Sequence, residues 1–246
     1  MRIERIIMGM PAAIELVGAD SREPHDRIFA LWDAIDVRFS TYKPESETSR
    51  INRGEINERD YSPEMQEIIA LTEKTKRETN GYFDARPHDG SFDPSGVVKG
   101  WALREAAHRA EELGFDSFYV EIGGDIQTRG KDAAGRDWTI GIRNPFNYDE
   151  IVKVLCPRGA GIATSGNAAR GAHIYNPHDS KVAPAELASI TVLGPDIFEA
   201  DRFATAAFAM GEKGIYFIES MDSFEAYAIA PSGVATMTSG LFRYLA

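Results

Sequence analysis

The chain has 246 residues, of which 43% are hydrophobic and 10% aromatic, so it can bury a substantial core and fold as a globular protein. Charged residues interrupt every apolar run before it reaches the roughly 20 residues that cross a bilayer, which excludes an integral membrane protein. Lys and Arg total 27 against 38 Asp and Glu, and the resulting net charge of −11 argues against a nucleic-acid-binding protein.

Apolar periodicity predicts a first strand at the N-terminus and four helices. The helices are expected over residues 26–39, 63–79, 101–113 and 196–210. Ser62 followed by Pro63 is typical of a helix start, and Gly114 and Gly211 stand where a left-handed residue ends a helix. The polar stretch 43–60 is expected to be a loop near an active site.

Short β-type runs separated by Gly, Asp and Asn-Pro turn signals predict that the middle of the chain is a sheet. The strands are expected over residues 117–122, 138–143, 151–156, 172–175 and 189–194, with a further strand over 224–230 that leads into a hairpin-like end. Strands and helices do not alternate regularly, which predicts an α+β fold with a mixed or antiparallel sheet and flanking helices. No linker divides the chain, so residues 1–246 are expected to form one unit. Cys156 lies in an apolar run and is expected to be a buried thiol.

The segment from Ser95 to Gly100 has features of a phosphate site. Its glycines let a ligand approach the backbone, while Lys99 and the N-terminus of the following helix supply positive potential. The spacing is not that of a P-loop, and a purely structural turn explains the same residues. A second glycine turn, Gly123-Gly124-Asp125, follows a predicted strand.

Asp201 and Thr205 are four residues apart in a predicted helix and therefore project from one face. A carboxylate and a hydroxyl are oxygen ligands suited to Mg²⁺. Asp201 as a cap or ion-pair partner, with Thr205 packed in an Ala-rich helix, is the structural alternative.

His173 stands beside a predicted strand end, where a histidine can serve as a general base or as a hydrogen-bonded structural imidazole. His178, next to a turn and Asp179, is expected to be solvated.

Eight short motifs resemble, in type and order, those of the FAD:protein FMN transferases, the ApbE family. The motifs are Phe39-Ser-Thr-Tyr42, Thr48-Ser-Arg-Ile-Asn52, Gly81-Tyr-Phe-Asp84, Phe92-Asp93 with Lys99-Gly100, Ile122-Gly-Gly-Asp125, Ala163-Thr-Ser-Gly166, His173 to Pro177, and Ala200-Asp201 with Ala204-Thr205. The resemblance extends from Met8 to Gly240 and so covers nearly the whole chain.

This resemblance implies an ApbE-like fold and a Mg²⁺-dependent transferase for which FAD is the substrate. Such an enzyme cleaves the FAD pyrophosphate, attaches FMN through a phosphoester to a threonine of a target flavoprotein, and releases AMP. The expected partner is an acceptor flavoprotein with a Ser/Thr-Gly-Ala-Thr-like motif. Phosphoryl transfer of this kind needs charge neutralisation and alignment, which a metal and a few positioned donors provide.

The resemblance also implies roles for individual residues. Asp201, Thr205 and the carbonyl of Gly96 are the implied Mg²⁺ ligands. His173 is the implied base for the acceptor threonine, with Asp201 as the alternative. The residues expected to contact FAD are Met8, Tyr42 (against the isoalloxazine), Tyr82, Phe83, Asp84, Asp93, Lys99 and His173.

The chain departs from the family pattern at Met10, Arg104, Asn176 and Ser180, which affects the expected adenine contacts and substrate preference. One alternative to the transferase is a metal-dependent FAD pyrophosphatase, which uses water in place of the protein acceptor. The other is a non-catalytic FAD-binding protein, which is favoured if the departures at Arg104 or Asn176 spoil the metal site. The N-terminus shows neither a signal peptide nor a lipobox, from which a cytoplasmic location is expected.

Overall fold

A computed structural model describes residues 1–86, 90–167, 174–179 and 186–246. Six helices and ten strands lie within these ranges. The helices are α1 Glu23–Phe39, α2 Glu47–Asn52, α3 Pro63–Glu78, α4 Ser95–Glu112, α5 Ile197–Ala209 and α6 Lys213–Glu219. The strands are β1 Arg2–Ile7, β2 Met10–Leu16, β3 Phe118–Ile122, β4 Asp125–Arg129, β5 Ile140–Asn144, β6 Asn147–Leu155, β7 Gly161–Gly166, β8 Ser189–Gly194, β9 Glu225–Ile229 and β10 Ala235–Met237.

Eight of these strands form one antiparallel sheet in the order β1-β2-β3-β4-β7-β8-β9-β10. The two remaining strands, β5 and β6, pair with each other as a separate ribbon. The predicted α+β class with an antiparallel sheet and flanking helices is therefore confirmed. Among the described residues, no helix combines the length and apolar character needed to cross a bilayer.

The two faces of the sheet carry different cores because successive side chains along a strand point to opposite sides. Val120 and Val192 face the main core, where they pack with the apolar residues of α1, α4 and α5. Their neighbours Tyr119 and Leu193 belong to a smaller core with Leu155 from the β5–β6 ribbon. The helices thus cover one face of the sheet and the ribbon covers the other.

One helix, α3, begins where the sequence predicts, whereas α1 and α4 begin earlier. α3 begins as expected, because the Ser62 hydroxyl accepts the N–H of Met65 at 3.2 Å. α1 begins at Glu23, three residues earlier than predicted, since Pro24 occupies the first turn, where its missing N–H costs nothing. α4 begins at Ser95 rather than Trp101, and Gly114 follows it with φ of +88° as expected.

Other expectations need correction. The stretch 43–60 is not all loop, because Ser46 caps α2 by accepting the N–H of Ser49 and Glu58–Asp60 form a 3₁₀ turn. The expected strand 172–175 lies partly outside the described residues, and its described part, 174–175, is not strand. Cys156 lies just beyond the end of β6 and is half-buried.

α5 is seated closely against the sheet by one glycine and one glutamine. A Cβ on Gly161 would lie 2.1 Å from the backbone nitrogen of Ile197, so no larger residue fits this contact. The buried side chain of Gln127 accepts the N–H of Ile197 at 2.9 Å, and Asp196 caps the helix by accepting the N–H of Glu199. These contacts fix the start of the helix that carries Asp201 and Thr205.

Candidate active site

A cavity opens where the N-terminal turn of α4, one face of α5, and the ends of β4 and β7 meet. Its lining includes eight of the residues that the sequence singled out as site residues: Tyr82, Phe83, Asp84, Asp93, Gly96, Lys99, Asp201 and Thr205. Residues separated by more than 100 positions in the sequence are thus brought to one place. This cavity is the candidate active site.

Near its N-terminus, α4 lies close to its neighbours at two glycines, Gly96 and Gly100. A Cβ on Gly100 would lie 2.8 Å from the Cβ of Asp201 and 3.1 Å from the Cα of Phe198. A Cβ on Gly96 would lie 2.7 Å from the ring of Phe83 and 3.6 Å from the methyl group of Thr205. Gly100 therefore lets α4 pack against α5, and Gly96 leaves room for the ring of Phe83.

Asp201 is almost fully buried, with 2% of its surface exposed. Its Oδ2 accepts the backbone N–H of Gly100 at 2.8 Å, and its Oδ1 lies 3.1 Å from Nζ of Lys99. In a regular α-helix the N–H of Gly100 would serve the carbonyl of Gly96 alone, so the carboxylate competes with that carbonyl for the donor. Asp201 is therefore held at a defined position facing a cation.

Asp125 is the second buried carboxylate of the site, with 1% of its surface exposed. Its Oδ1 accepts the N–H of Thr164 at 3.0 Å, and its Oδ2 contacts Nζ of Lys99. Asp125 belongs to the Ile122-Gly-Gly-Asp125 motif, but the sequence implied no role for it. The Gly123-Gly124 turn could have indicated a role for Asp125. Gly123 lines the cavity, and the turn places Asp125 at the first position of β4.

Burial dominates the electrostatics of this carboxylate pair. Loss of hydration, and to a smaller extent the neighbouring Asp125, raise the pKa of Asp201 to about 7 against the opposing effect of the Lys99 ammonium. When both carboxyl groups are ionised, the cluster with the Lys99 ammonium carries one net negative charge. Such a cluster favours an additional cation.

Phe83, Asp84 and Asp93 line the cavity, but each also has a structural contact. Phe83 is buried and packs over Gly96. Asp84 pairs with Lys76 at 2.8 Å and accepts the N–H of Arg86, and Asp93 accepts the N–H of Ser95 at 2.9 Å. These contacts shape the wall of the cavity around α4.

The segment 174–179 crosses the cavity beside Tyr82. The hydroxyl of Tyr175 donates to the carbonyl oxygen of Asp84 at 2.9 Å, and Ile174 and Pro177 join Tyr175 in the lining. His178 is exposed as expected, yet its Nε2 lies 2.9 Å from the carbonyl of Asn80 and its ring meets Tyr82 edge-on at 4.6 Å. The sequence did not predict that this segment closes one side of the site.

Two of the predicted site residues, Tyr42 and Met8, are not among the described residues that line the cavity. Tyr42 is 94% exposed, and Met8 forms the tip of the β1–β2 hairpin, with φ of +52°. His173 lies outside the described residues. The FAD contacts assigned to Met8 and Tyr42 and the base role assigned to His173 therefore stay predictions.

The ApbE family model matches residues 8–89 and 85–228, which is most of the chain. The chain belongs to the ApbE family. Among curated relatives, the FAD:protein FMN transferase of Haemophilus influenzae is 25% identical, over 93% of this chain and 85% of the relative. That of Salmonella typhimurium is 27% identical, over 57% of this chain and 43% of the relative, so this second match spans less than half of the relative's length.

Solved ApbE structures share the fold over the full length of the chain. The flavin transferase ApbE of Vibrio cholerae superposes with a TM-score of 0.86 at 22% identity, covering 100% of this chain and 99% of that one. The ApbE protein of Thermotoga maritima gives a TM-score of 0.88 at 18% identity, with the same coverage. The expected ApbE-like architecture is thereby confirmed.

Proposed function

We propose that residues 1–246 form an ApbE-like flavin transferase domain that transfers FMN from FAD to a protein, with Mg²⁺ as its metal. The observation that carries this proposal is the meeting of Gly96, Asp201 and Thr205 at one cavity, beside Lys99, in a member of the ApbE family. Its curated relatives are named FAD:protein FMN transferases, which supports the same activity here.

The residues present fit a magnesium ion. Within the described ranges, no group of three or more His, Cys, Asp or Glu side chains is arranged to hold a metal. The proposed ligands are instead one carboxylate, one hydroxyl and one carbonyl, a set of hard oxygens that leaves positions for water and phosphate. Oδ1 of Asp201 already faces the Lys99 ammonium at 3.1 Å, which indicates that this oxygen can receive a cation.

In the proposed reaction the hydroxyl oxygen of the acceptor threonine attacks the phosphorus of the FMN half of FAD. The phosphoester bond to FMN forms, the pyrophosphate bond breaks, AMP leaves, and the hydroxyl proton is released. A bound Mg²⁺ would neutralise the charge that develops on the phosphate oxygens. Lys99 adds positive charge beside the same oxygens, and the cavity walls at Tyr82 and Tyr175 exclude water from one side.

We propose His173 as the group that accepts the threonine proton. An unperturbed imidazole is mostly neutral at pH 7 and can take up a proton there. Asp201 is less suited to this role, because its two oxygens are engaged with Gly100 and Lys99. The resemblance supports an acceptor flavoprotein with a Ser/Thr-Gly-Ala-Thr-like motif.

The deciding experiment incubates the purified protein with FAD and Mg²⁺, with and without a domain that carries such a motif. We expect the acceptor to gain the mass of FMN with an equal amount of AMP. Free FMN and AMP with an unmodified acceptor would show a pyrophosphatase, and bound FAD without either product would show a non-catalytic FAD-binding protein. The cytoplasmic location expected from the sequence stays a prediction, which cell fractionation tests.

A further inference from the structure

Lys99 bridges two buried carboxylates that come from different parts of the fold. Its ammonium contacts Oδ2 of Asp125 on β4 and lies 3.1 Å from Oδ1 of Asp201 on α5. The Lys99 side chain itself is 15% exposed, whereas those of Asp125 and Asp201 are 1% and 3% exposed. The three charges therefore interact where water screens them poorly.

The two carboxylates are anchored in the same way but differ in what surrounds them. Each uses one oxygen to accept a backbone N–H, from Thr164 for Asp125 and from Gly100 for Asp201. The remaining oxygen of each faces Lys99. Asp201 shares its helix face with Thr205, four residues on, whereas Asp125 is the first residue of β4.

The Lys99 ammonium therefore lies against the oxygen of Asp201 that a metal ion would need. A cation bound there has to displace the ammonium, because two positive charges at one oxygen repel each other strongly in a buried site. Moving an ammonium away from a carboxylate in a poorly hydrated site is costly unless a second carboxylate stays beside it. Asp125 provides that second carboxylate.

We propose that Asp125 is a positioning residue that holds the Lys99 ammonium aside when a divalent cation binds Asp201. This inference rests on the metal assignment made under the proposed function. Lys99 shares its charge between both carboxylates when no metal is bound, and it keeps its contact with Asp125 when the metal is present. Asp125 thereby converts Lys99 from a competitor of the metal into a fixed positive charge beside it.

The test measures Mn²⁺ affinity by electron paramagnetic resonance, with Mn²⁺ as the probe and without FAD or acceptor. Asp125→Asn keeps an oxygen for the N–H of Thr164 but removes the charge that holds Lys99, and we expect about tenfold weaker Mn²⁺ binding. Lys99→Met removes the competitor, and we expect tighter binding than in the unchanged protein. In the double variant with Lys99→Met, Asp125→Asn should weaken Mn²⁺ binding by less than about threefold, because no ammonium remains for Asp125 to hold.

A second variant and a matched control distinguish a specific loss of Mn²⁺ affinity from a loss caused by unfolding. Asp125→Ser is measured beside Asp125→Asn, and each variant has to show the thermal transition of the unchanged protein. Glu111→Gln is the control, because it removes the same charge at an ion pair with Arg129 at the opposite end of β4 and should leave Mn²⁺ affinity unchanged.

Two results would overturn the inference while leaving the proposed function intact. One is unchanged Mn²⁺ affinity in Asp125→Asn. The other is an equal loss of affinity with and without Lys99, because Asp125 would then act on the metal directly. If the unchanged protein bound no Mn²⁺, the metal assignment and this inference would both fall. FMN transfer is measured separately. A protein that binds Mn²⁺ as expected but transfers no FMN would contradict the proposed function and leave this inference standing.

Discussion

The backbone N–H of Gly100 donates to Oδ2 of Asp201 at 2.8 Å and so joins α4 directly to α5. The bond is possible because residue 100 has no side chain: a Cβ there would lie 2.8 Å from the Cβ of Asp201. One contact thus couples the packing of two helices to the position of the carboxylate proposed to bind the metal.

The first prediction concerns Gly100→Ala. Helix propensity alone predicts that alanine would stabilise α4 by about 1 kcal/mol. The close approach to the backbone of Phe198 predicts the opposite, a loss of about 1–3 kcal/mol in the free energy of unfolding, because the helices have to separate. Urea unfolding measures the sign. His108→Ala on the exposed side of α4 is the control, with an expected change within about 0.5 kcal/mol. A stabilised Gly100→Ala protein would contradict the packing argument.

The second prediction concerns Asp201→Asn. The amide keeps an oxygen for the N–H of Gly100 but removes the negative charge, so we expect Mg²⁺-dependent turnover to be abolished. FAD affinity should be largely kept, because the proposed isoalloxazine contacts are separate from the metal. Turnover is followed by AMP release across a Mg²⁺ titration, and FAD binding by flavin fluorescence. Full activity in this variant would exclude Asp201 as a metal ligand.

The third prediction is a pH dependence of metal binding. A carboxylate has to lose its proton before it binds a metal, and burial raises the pKa of Asp201 to about 7. Apparent Mg²⁺ affinity should therefore be constant above this pKa and fall as pH decreases below it, by about tenfold for each pH unit. Isothermal titration between pH 5.5 and 8.5, on the order of one unit either side of that pKa, measures this dependence. An affinity that stayed constant down to pH 5.5 would contradict it.

The fourth prediction separates Tyr42 from the folded core. Its side chain is 94% exposed, so Tyr42→Ala should leave the free energy of unfolding within about 0.5 kcal/mol of its original value. If Tyr42 covers the isoalloxazine of bound FAD, the same variant should weaken FAD binding by about 1–3 kcal/mol. Tyr216→Ala is a suitable control, because Tyr216 is also exposed and does not line the cavity. Equal FAD affinity in both variants would remove Tyr42 from the flavin site.

Much of the fold could be predicted from local sequence. The Ser62 cap, the apolar stripe of α3 and the left-handed Gly114 follow from short-range spacing, which is why these features were found. The start of α4 was missed because Gly96 and Gly100 weaken local helix propensity. The space that a side chain at these two positions would need is taken by Phe83, Phe198 and Asp201, which lie on other parts of the chain.

The sequence by itself determined the fold class and the order of the motifs, and from them the residue types that the site would use. Only the tertiary structure decided that Asp125 joins Lys99 and Asp201, because that contact needs β4, α4 and α5 to meet at one end of the sheet. It also decided that the segment 174–179 packs on Tyr82 and Asp84. Such contacts depend on how close the elements approach, a distance set by glycines and buried side chains that local periodicity does not encode.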